Sequence, residues 1–228
     1  MEIIERASPN VNDRPVGTAI DMVILHYTGM KTGKAALDRL CDPDAKVSAH
    51  YLIDEDGTTY RMVAEDRRAW HAGFSHWSGA VNINDRSIGI EIVNPGHEFG
   101  YRAFPEAQMA AVEELLAQIV ERHRIPPARV VGHSDIAPTR KQDPGELFDW
   151  KRLADKGLSV WPATTGDIGD ATAPVDARRY LTNIGYDPEA PLADVVTAFQ
   201  RRFIPAGVTG ALDDTTRTII AAVHALNS

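Results

Sequence analysis

The sequence predicts an α/β fold followed by a small helical module. Three observations predict it. Apolar, β-branched runs at 21–27 and 87–93 read as strands. A long amphipathic stretch from Pro105 to about His123 reads as a helix. A Pro-, Gly-, Thr- and Ala-rich segment, PATTGDIGDATAP at 162–174, separates these from three short helical patterns. The expected organisation is a main domain at 1–161, a linker at 162–174 and a three-helix domain at 175–228.

Each element has its own reason. DMVILHY at 21–27 is apolar and ends at Thr28-Gly29, as a buried strand does. KAALDRLC at 34–41 reads as a short helix. His50–Ile53 and Thr58–Val63 flank Asp54-Glu-Asp-Gly57, a hairpin turn. SIGIEIV at 87–93 alternates, with Ile88, Ile90 and Ile92 on one face and Glu91 on the other. In the long helix Met109, Val112, Leu115, Leu116, Ile119 and Val120 make one stripe. Pro105 suits its first turn, and Pro126-Pro127 lies past its end. Arg129–Val131 is a short strand leading into Gly132-His133. Beyond the linker, helices are expected at roughly 175–184, 191–203 and 213–226. The second carries Leu192, Val195, Val196 and Phe199; the third carries Ile219, Ile220, Val223 and Leu226.

Composition excludes several classes. The 228-residue chain has a net charge of -8, which disfavours nonspecific binding to nucleic acid or anionic membranes. Cys41 is the single cysteine, so no intramolecular disulfide and no Cys-rich zinc site can form. A zinc site here must use His and carboxylate ligands. No phosphate-binding loop of the G-x-x-x-x-G-K-[ST] kind occurs. The first residues, MEIIERASPNVNDRP, show no secretory signal, and no run is long enough to span a membrane. The expected compartment is the cytoplasm, with the periplasm as the alternative.

VVGHSDIAPTRKQDPG, at 130–145, carries the chemistry. A catalytic zinc takes three protein ligands and keeps one position open. His133 and Asp143 supply two if the loop between them folds back. His26, at the end of a buried strand, is the best third. Lys141 lies two residues before Asp143, so an extended segment points both the same way, where an ammonium can stabilise an oxyanion. Glu91 is a carboxylate in an apolar strand and suits a general base. Each residue also has a purely structural role open to it. His26 can be a hydrogen-bonded core residue, His133 a turn residue, Asp143-Pro-Gly an ordinary turn, Lys141 a solvated cation, and Glu91 an exposed edge-strand acid.

Four segments in order decide between these roles: VILHYTG at 23–29, VSAHYLIDEDGTTYRMV at 47–63, RAWHAG at 68–73 with NDRSIGIEIVN at 84–94, and GHSDIAPTRKQDPGELFDW at 132–150. With them the chain resembles the zinc N-acetylmuramoyl-L-alanine amidases of the amidase 2 type, closest to the AmpD-like branch. The resemblance implies a central mixed β-sheet flanked by helices, a fold shared with peptidoglycan recognition proteins. It implies one zinc held by His26, His133 and Asp143, with Glu91 and Lys141 catalytic. Trp70 and His71 are expected to line the substrate groove, and His50 to lie near the site in a substrate-binding or supporting role. The implied reaction is hydrolysis of the amide between N-acetylmuramic acid, or its anhydro form, and L-alanine of the stem peptide. Zinc would activate water and polarise the carbonyl. The implied partner is an anhydro-muropeptide or polymeric peptidoglycan, cut in recycling or wall remodelling. The alternative is a noncatalytic recognition protein, which the presence of all five site residues disfavours.

The tail segments RRYLTNIGYDPEAPLADVVTAFQRRF and VTGALDDTTRTIIAAV resemble a type 1 peptidoglycan-binding three-helix domain. The usual D-G-x-F-G turn is replaced by Thr209-Gly210-Ala211-Leu212-Asp213. A stabilising appendage is the plain reading of the same helices.

Overall fold

The computed structural model describes residues 2–162 and 176–226. The expected linker at 162–174 therefore lies outside the described residues, apart from Pro162. Among the described residues there are ten strands: β1 (Ile3–Glu5), β2 (Val11–Asp13), β3 (Met22–Tyr27), β4 (Tyr51–Ile53), β5 (Thr59–Arg61), β6 (Arg67–Ala69), β7 (His76–Trp77), β8 (Ala80–Val81), β9 (Ser87–Ile92) and β10 (Val130–Gly132). The helices are α1 (Gly33–Leu40), α2 (Gly96–Phe99), α3 (Glu106–His123), α4 (His133–Ile136), α5 (Trp150–Asp155), α6 (Ala177–Ile184), α7 (Leu192–Phe203) and α8 (Asp214–Leu226).

Six strands form a mixed sheet in the order β1-β5-β4-β9-β3-β10. Only the β4–β5 hairpin is antiparallel; the other neighbours run parallel. This is the α/β class that the pattern predicts. β3 and β9 are central strands covered on both faces, which is why MVILHY shows no alternation. Glu91 therefore stands on a central strand and is not an exposed edge-strand acid.

The two faces are separated by side-chain parity. Val23, Leu25, Ile88, Ile90 and Ile92 pack with the α3 stripe of Met109, Val112, Leu115, Leu116 and Ile119. Met22, Ile24 and Val131 face the opposite way and join Ile136, Val195, Val196, Phe199, Phe203, Ile220 and Val223 in a second cluster. The C-terminal helices therefore do not build a separate core. α6, α7 and α8 complete the core of the sheet's second face. Local capping starts two of these helices: Asp176 accepts the Arg179 N–H before α6, and Asp213 accepts the Thr216 N–H at α8.

Several short elements have no local signal in the sequence. β1, β2, β6, β7, β8, α2, α4 and α5 run from two to six residues. Among the described residues no helix is long and apolar enough to cross a membrane.

Because one apolar cluster spans the sheet and the tail helices, the protein should unfold as one unit. Calorimetry is expected to show a single endotherm. Phe199→Ala, at a position with 0% exposure, should destabilise the whole chain by about 3–5 kcal/mol. Two separated endotherms would show instead that the helices fold independently of the sheet.

Candidate active site

Strand register assembles the centre. β3 pairs with β9 so that His26 lies opposite Glu91. β10 pairs with β3 so that Gly132 lies opposite Leu25, and the next residue, His133, falls beside His26. His133, His26 and Glu91 thus form a row across three adjacent parallel strands, at their carboxyl ends, where open α/β sheets present their sites. Gly132 lets the chain return: a Cβ there would meet Pro144 Cδ at 2.8 Å. Asp143 is brought in by that close approach. The Ser134 N–H donates to Asp143 O at 2.8 Å, which ties the loop to α4.

Three ligand-type atoms then converge. His26 Nδ1 lies 2.9 Å from His133 Nδ1, and both lie 3.0 Å from Asp143 Oδ2. All three residues are buried, and they are the one such cluster among the described residues that can hold a metal ion. Ligands about 2.0–2.1 Å from a tetrahedral zinc sit about 3.3 Å apart, so the triangle fits within a few tenths of an ångström.

The hydrogen bonds behind the triangle set the tautomers. His133 Nε2–H donates to Ala72 O at 3.1 Å, leaving the Nδ1 lone pair on the site. For His26 the relay is longer. Ser87 Oγ–H donates to Ile83 O at 2.6 Å, so its oxygen accepts from His71 Nε2–H at 3.2 Å. His71 Nδ1 then accepts from His26 Nε2–H at 3.1 Å. His26 is left with its Nδ1 lone pair aimed at the triangle. Gly89 makes room for this relay, since a Cβ there would lie 2.4 Å from the His71 ring.

Electrostatics agree with ligation. Burial, then repulsion from His133, lowers the His26 pKa to about 4, so its imidazole is neutral at pH 7. Burial of Asp143 would raise its pKa, but His133 and His26 outweigh that and hold it well below the usual range. Glu91 goes the other way. Burial, then the charge of Asp143, raises its pKa well above the ordinary value, with Lys141 opposing. Its Oε2 has no hydrogen-bond partner.

The centre opens into a groove of about 370 Å³. His26, His133, Asp143, Glu91 and Lys141 all line it, as do Trp70 and His71. Trp70 is held from behind by its indole N–H, which donates to Asn12 Oδ1 at 2.7 Å. His50 does not line the groove and is 0% exposed. Its Nδ1 accepts the Gly89 N–H at 2.9 Å, and its Nε2–H donates to Arg67 O at 3.1 Å. Burial, then nearby Arg14, lowers its pKa to about 3. No surface of His50 is open to a substrate; its ring braces β9.

Ser87, Asn84 and Arg140 support the site without being singled out by the sequence. Ser87 shares the polar face of β9 with Gly89 and Glu91, a pattern visible in SIGIE. Asn84 Oδ1 accepts both the His71 and Ala72 N–H groups, and Arg140 donates to the carbonyls of Ala72 and Phe74. Those contacts span long stretches of chain and leave no local trace.

Comparison with known proteins agrees with this site. The family model Amidase_2, N-acetylmuramoyl-L-alanine amidase, matches residues 16–146. The N-acetylmuramoyl-L-alanine amidase AmiD of Escherichia coli (strain K12) is 36% identical over 231 residues, covering 90% of this chain and 82% of that protein. The 1,6-anhydro-N-acetylmuramyl-L-alanine amidase AmpD of Haemophilus influenzae is 34% identical over 163 residues, covering 64% of this chain and 86% of that one. Among solved structures, AmiD from E. coli in complex with anhydro-N-acetylmuramic acid-L-Ala-D-gamma-Glu-L-Lys superposes with a TM-score of 0.81 at 33% identity, covering 93% of this chain and 92% of that chain. AmpDh3 from Pseudomonas aeruginosa gives 0.82 at 33% identity, covering 94% and 95%. The chain belongs to the N-acetylmuramoyl-L-alanine amidase family, and the protein is an enzyme of that type.

Proposed function

We propose that this amidase is a zinc hydrolase that cuts the amide between N-acetylmuramic acid, in its anhydro form, and L-alanine of a peptidoglycan stem peptide. The observation that carries the reading is the triangle of His26, His133 and Asp143 beside the unpartnered Glu91 oxygen, in one groove. The substrate class is supported by AmiD and AmpDh3, which were solved in complex with an anhydro-muramyl peptide and an anhydromuramic pentapeptide.

Zinc held at His26 Nδ1, His133 Nδ1 and Asp143 Oδ2 would supply Lewis acidity toward water and the scissile carbonyl. The protein's own groups do the rest. Glu91 Oε2 takes the proton of the attacking water and delivers it to the leaving nitrogen of L-alanine. Its raised proton affinity suits it to hold that proton between the two transfers. Lys141, whose ammonium makes no ion pair among the described residues, faces the groove and neutralises the charge that develops on the carbonyl oxygen. Trp70 offers a fixed aromatic wall for the substrate. His71 lines the groove, but its ring nitrogens are committed to His26 and Ser87.

The peptidoglycan-binding reading of the C-terminal helices rests on their motif. Their docked position supports a fixed extension of the enzyme rather than a free tether. Mass spectrometry of products tests the activity. The zinc-loaded protein should release free stem peptide from purified anhydro-muropeptide. Release from intact sacculi as well would extend the substrate to the polymer, and no release from either would refute the amidase reading.

Substitutions separate the roles. His133→Ala should lose both zinc and activity, read by metal analysis and product release. Glu91→Ala should keep zinc and lose about 10²–10⁴-fold in kcat. Lys141→Ala should keep zinc and lose about 10²–10³-fold. A further expectation follows from the raised Glu91 pKa. The folded state holds that proton more tightly than the unfolded state, so folding stability is lost as pH rises toward the folded pKa. In metal-free protein Glu91→Gln should therefore melt higher than the parent at pH 8. The gap should shrink at pH 5 and close below about pH 4, where unfolded carboxyls also protonate. A gap that does not change with pH would contradict it.

A further inference from the structure

The tail motifs I-G-Y and F-Q-R-R-F are spent on the main domain, and the residues they spend meet at one carboxylate. Asp135 is 1% exposed and sits in α4, two residues after His133. Its Oδ2 accepts the Gly132 N–H at 2.8 Å, across the junction of β10 and α4. The same oxygen pairs with Arg202 Nη1 at 2.9 Å, and the Arg202 side chain is 3% exposed. Tyr186 Oη–H donates to Asp135 Oδ1 at 2.6 Å. Arg202 continues inward, donating to Val130 O and Ser159 Oγ at 3.1 Å each. Its guanidinium lies 4.3 Å from the centre of the Trp150 ring.

A buried ion pair is weak evidence of net stability, because desolvation offsets its attraction. What this one does is fix a position. β10 delivers the chain to His133, and α4 is a single turn of four residues with no helix length of its own to hold it. Asp135 joins the end of β10 to that turn, and Arg202 grips both by bonding Val130 O and Asp135 together. The turn in turn holds Asp143 through the Ser134 N–H. Two of the three metal-site residues thus stand on a segment anchored from the C-terminal helices.

We propose that Arg202 and Tyr186 are positioning residues of the catalytic centre, and that α7 and the turn after α6 serve the hydrolysis by holding Asp135 and thereby the metal triangle. The inference rests on the zinc reading above. It makes the tail a structural part of the active site, whether or not it also meets glycan.

The test uses the full chain. Zinc Kd is measured by competition with a chromophoric chelator for the parent, Arg202→Met, Arg202→Lys and Tyr186→Phe. Thermal melts identify a temperature at which each is folded, and kcat and KM are measured there at saturating zinc. Arg202→Met should weaken zinc binding by about 10–100-fold, the range seen when groups behind metal ligands are removed. It should lower kcat by about tenfold or more, with KM within about twofold. Arg202→Lys, which keeps the charge and loses the planar fork, should recover part of the zinc affinity. A lower melting temperature with parental zinc Kd and kcat would reduce the pair to glue between helices and sheet, and overturn the proposal. Should Arg202→Met fail to fold, Tyr186→Phe decides. A zinc Kd weakened beyond error upholds the proposal, and a parental Kd with parental kcat overturns it. Absence of zinc binding by the parent would instead refute the metal reading itself.

Discussion

The parallel register of β10, β3 and β9 is the constraint on which the rest depends. Adjacent strands lie about 4.8 Å apart, and a register shift of one residue would turn every side chain to the other face. His133, His26 and Glu91 share a row only because Gly132 is set against Leu25 and His26 against Glu91. The register is itself held by the apolar parity of the strands. Val23, Leu25, Ile88 and Ile90 must meet α3, while Met22 and Ile24 must meet the tail helices. Packing on both faces thus places the chemistry without any contact made by the catalytic groups themselves.

The polar groups then refine what the sheet places. A neutral imidazole has one lone pair, and a metal site needs it on the correct nitrogen. The relay from Ile83 O through Ser87 and His71 does this for His26, and Ala72 O does it for His133. The centre combines two carboxyls with opposite proton affinities. Asp143 is held ionised by two imidazoles, whereas Glu91, with one oxygen unpartnered, is pushed toward its neutral form. Separated affinities of this kind give one carboxyl a ligand's role and the other a proton carrier's role.

The C-terminal helices show how one motif can be read in two ways. Leu181, Ile184, Tyr186, Phe199 and Phe203 are the apolar and aromatic positions that mark the module in the sequence. In the structure they lie against Met22, Ile24, Trp77 and Ile136 of the main domain. Trp77 and Tyr186 meet edge to face with centroids 5.0 Å apart. AmiD of E. coli matches 90% of this chain, whereas AmpD of H. influenzae matches 64%. AmiD is therefore the relative of the two that matches both the sheet domain and the tail helices.

Much of this is legible in one dimension. β3, β9, α3, α7 and α8 are long enough for their periodicity to exceed noise. His26, Glu91, Lys141, His133 and Asp143 are candidates by residue type and by their places in two strands and one loop, and the resemblance to the amidases decides between those roles and the structural ones. His50 shows the limit. The resemblance puts it near the site in a substrate-binding or supporting role, and burial with two backbone partners leaves the supporting one. The strands β1, β2, β6, β7 and β8, the turn α4, the pairing of Ser87 with His71 and the Arg202–Asp135 pair leave no readable trace. The two side-chain pairs join residues 16 and 67 positions apart, and nothing local distinguishes a paired side chain from a solvated one. The sequence by itself determined the longer elements and the ligand types, because periodicity and residue chemistry are local properties, and its resemblance to the amidases implied the reaction family. Only the tertiary structure decided which lone pairs face the metal site, which histidine is closed off and where the tail docks. Those depend on distances between segments that the chain brings together only by packing.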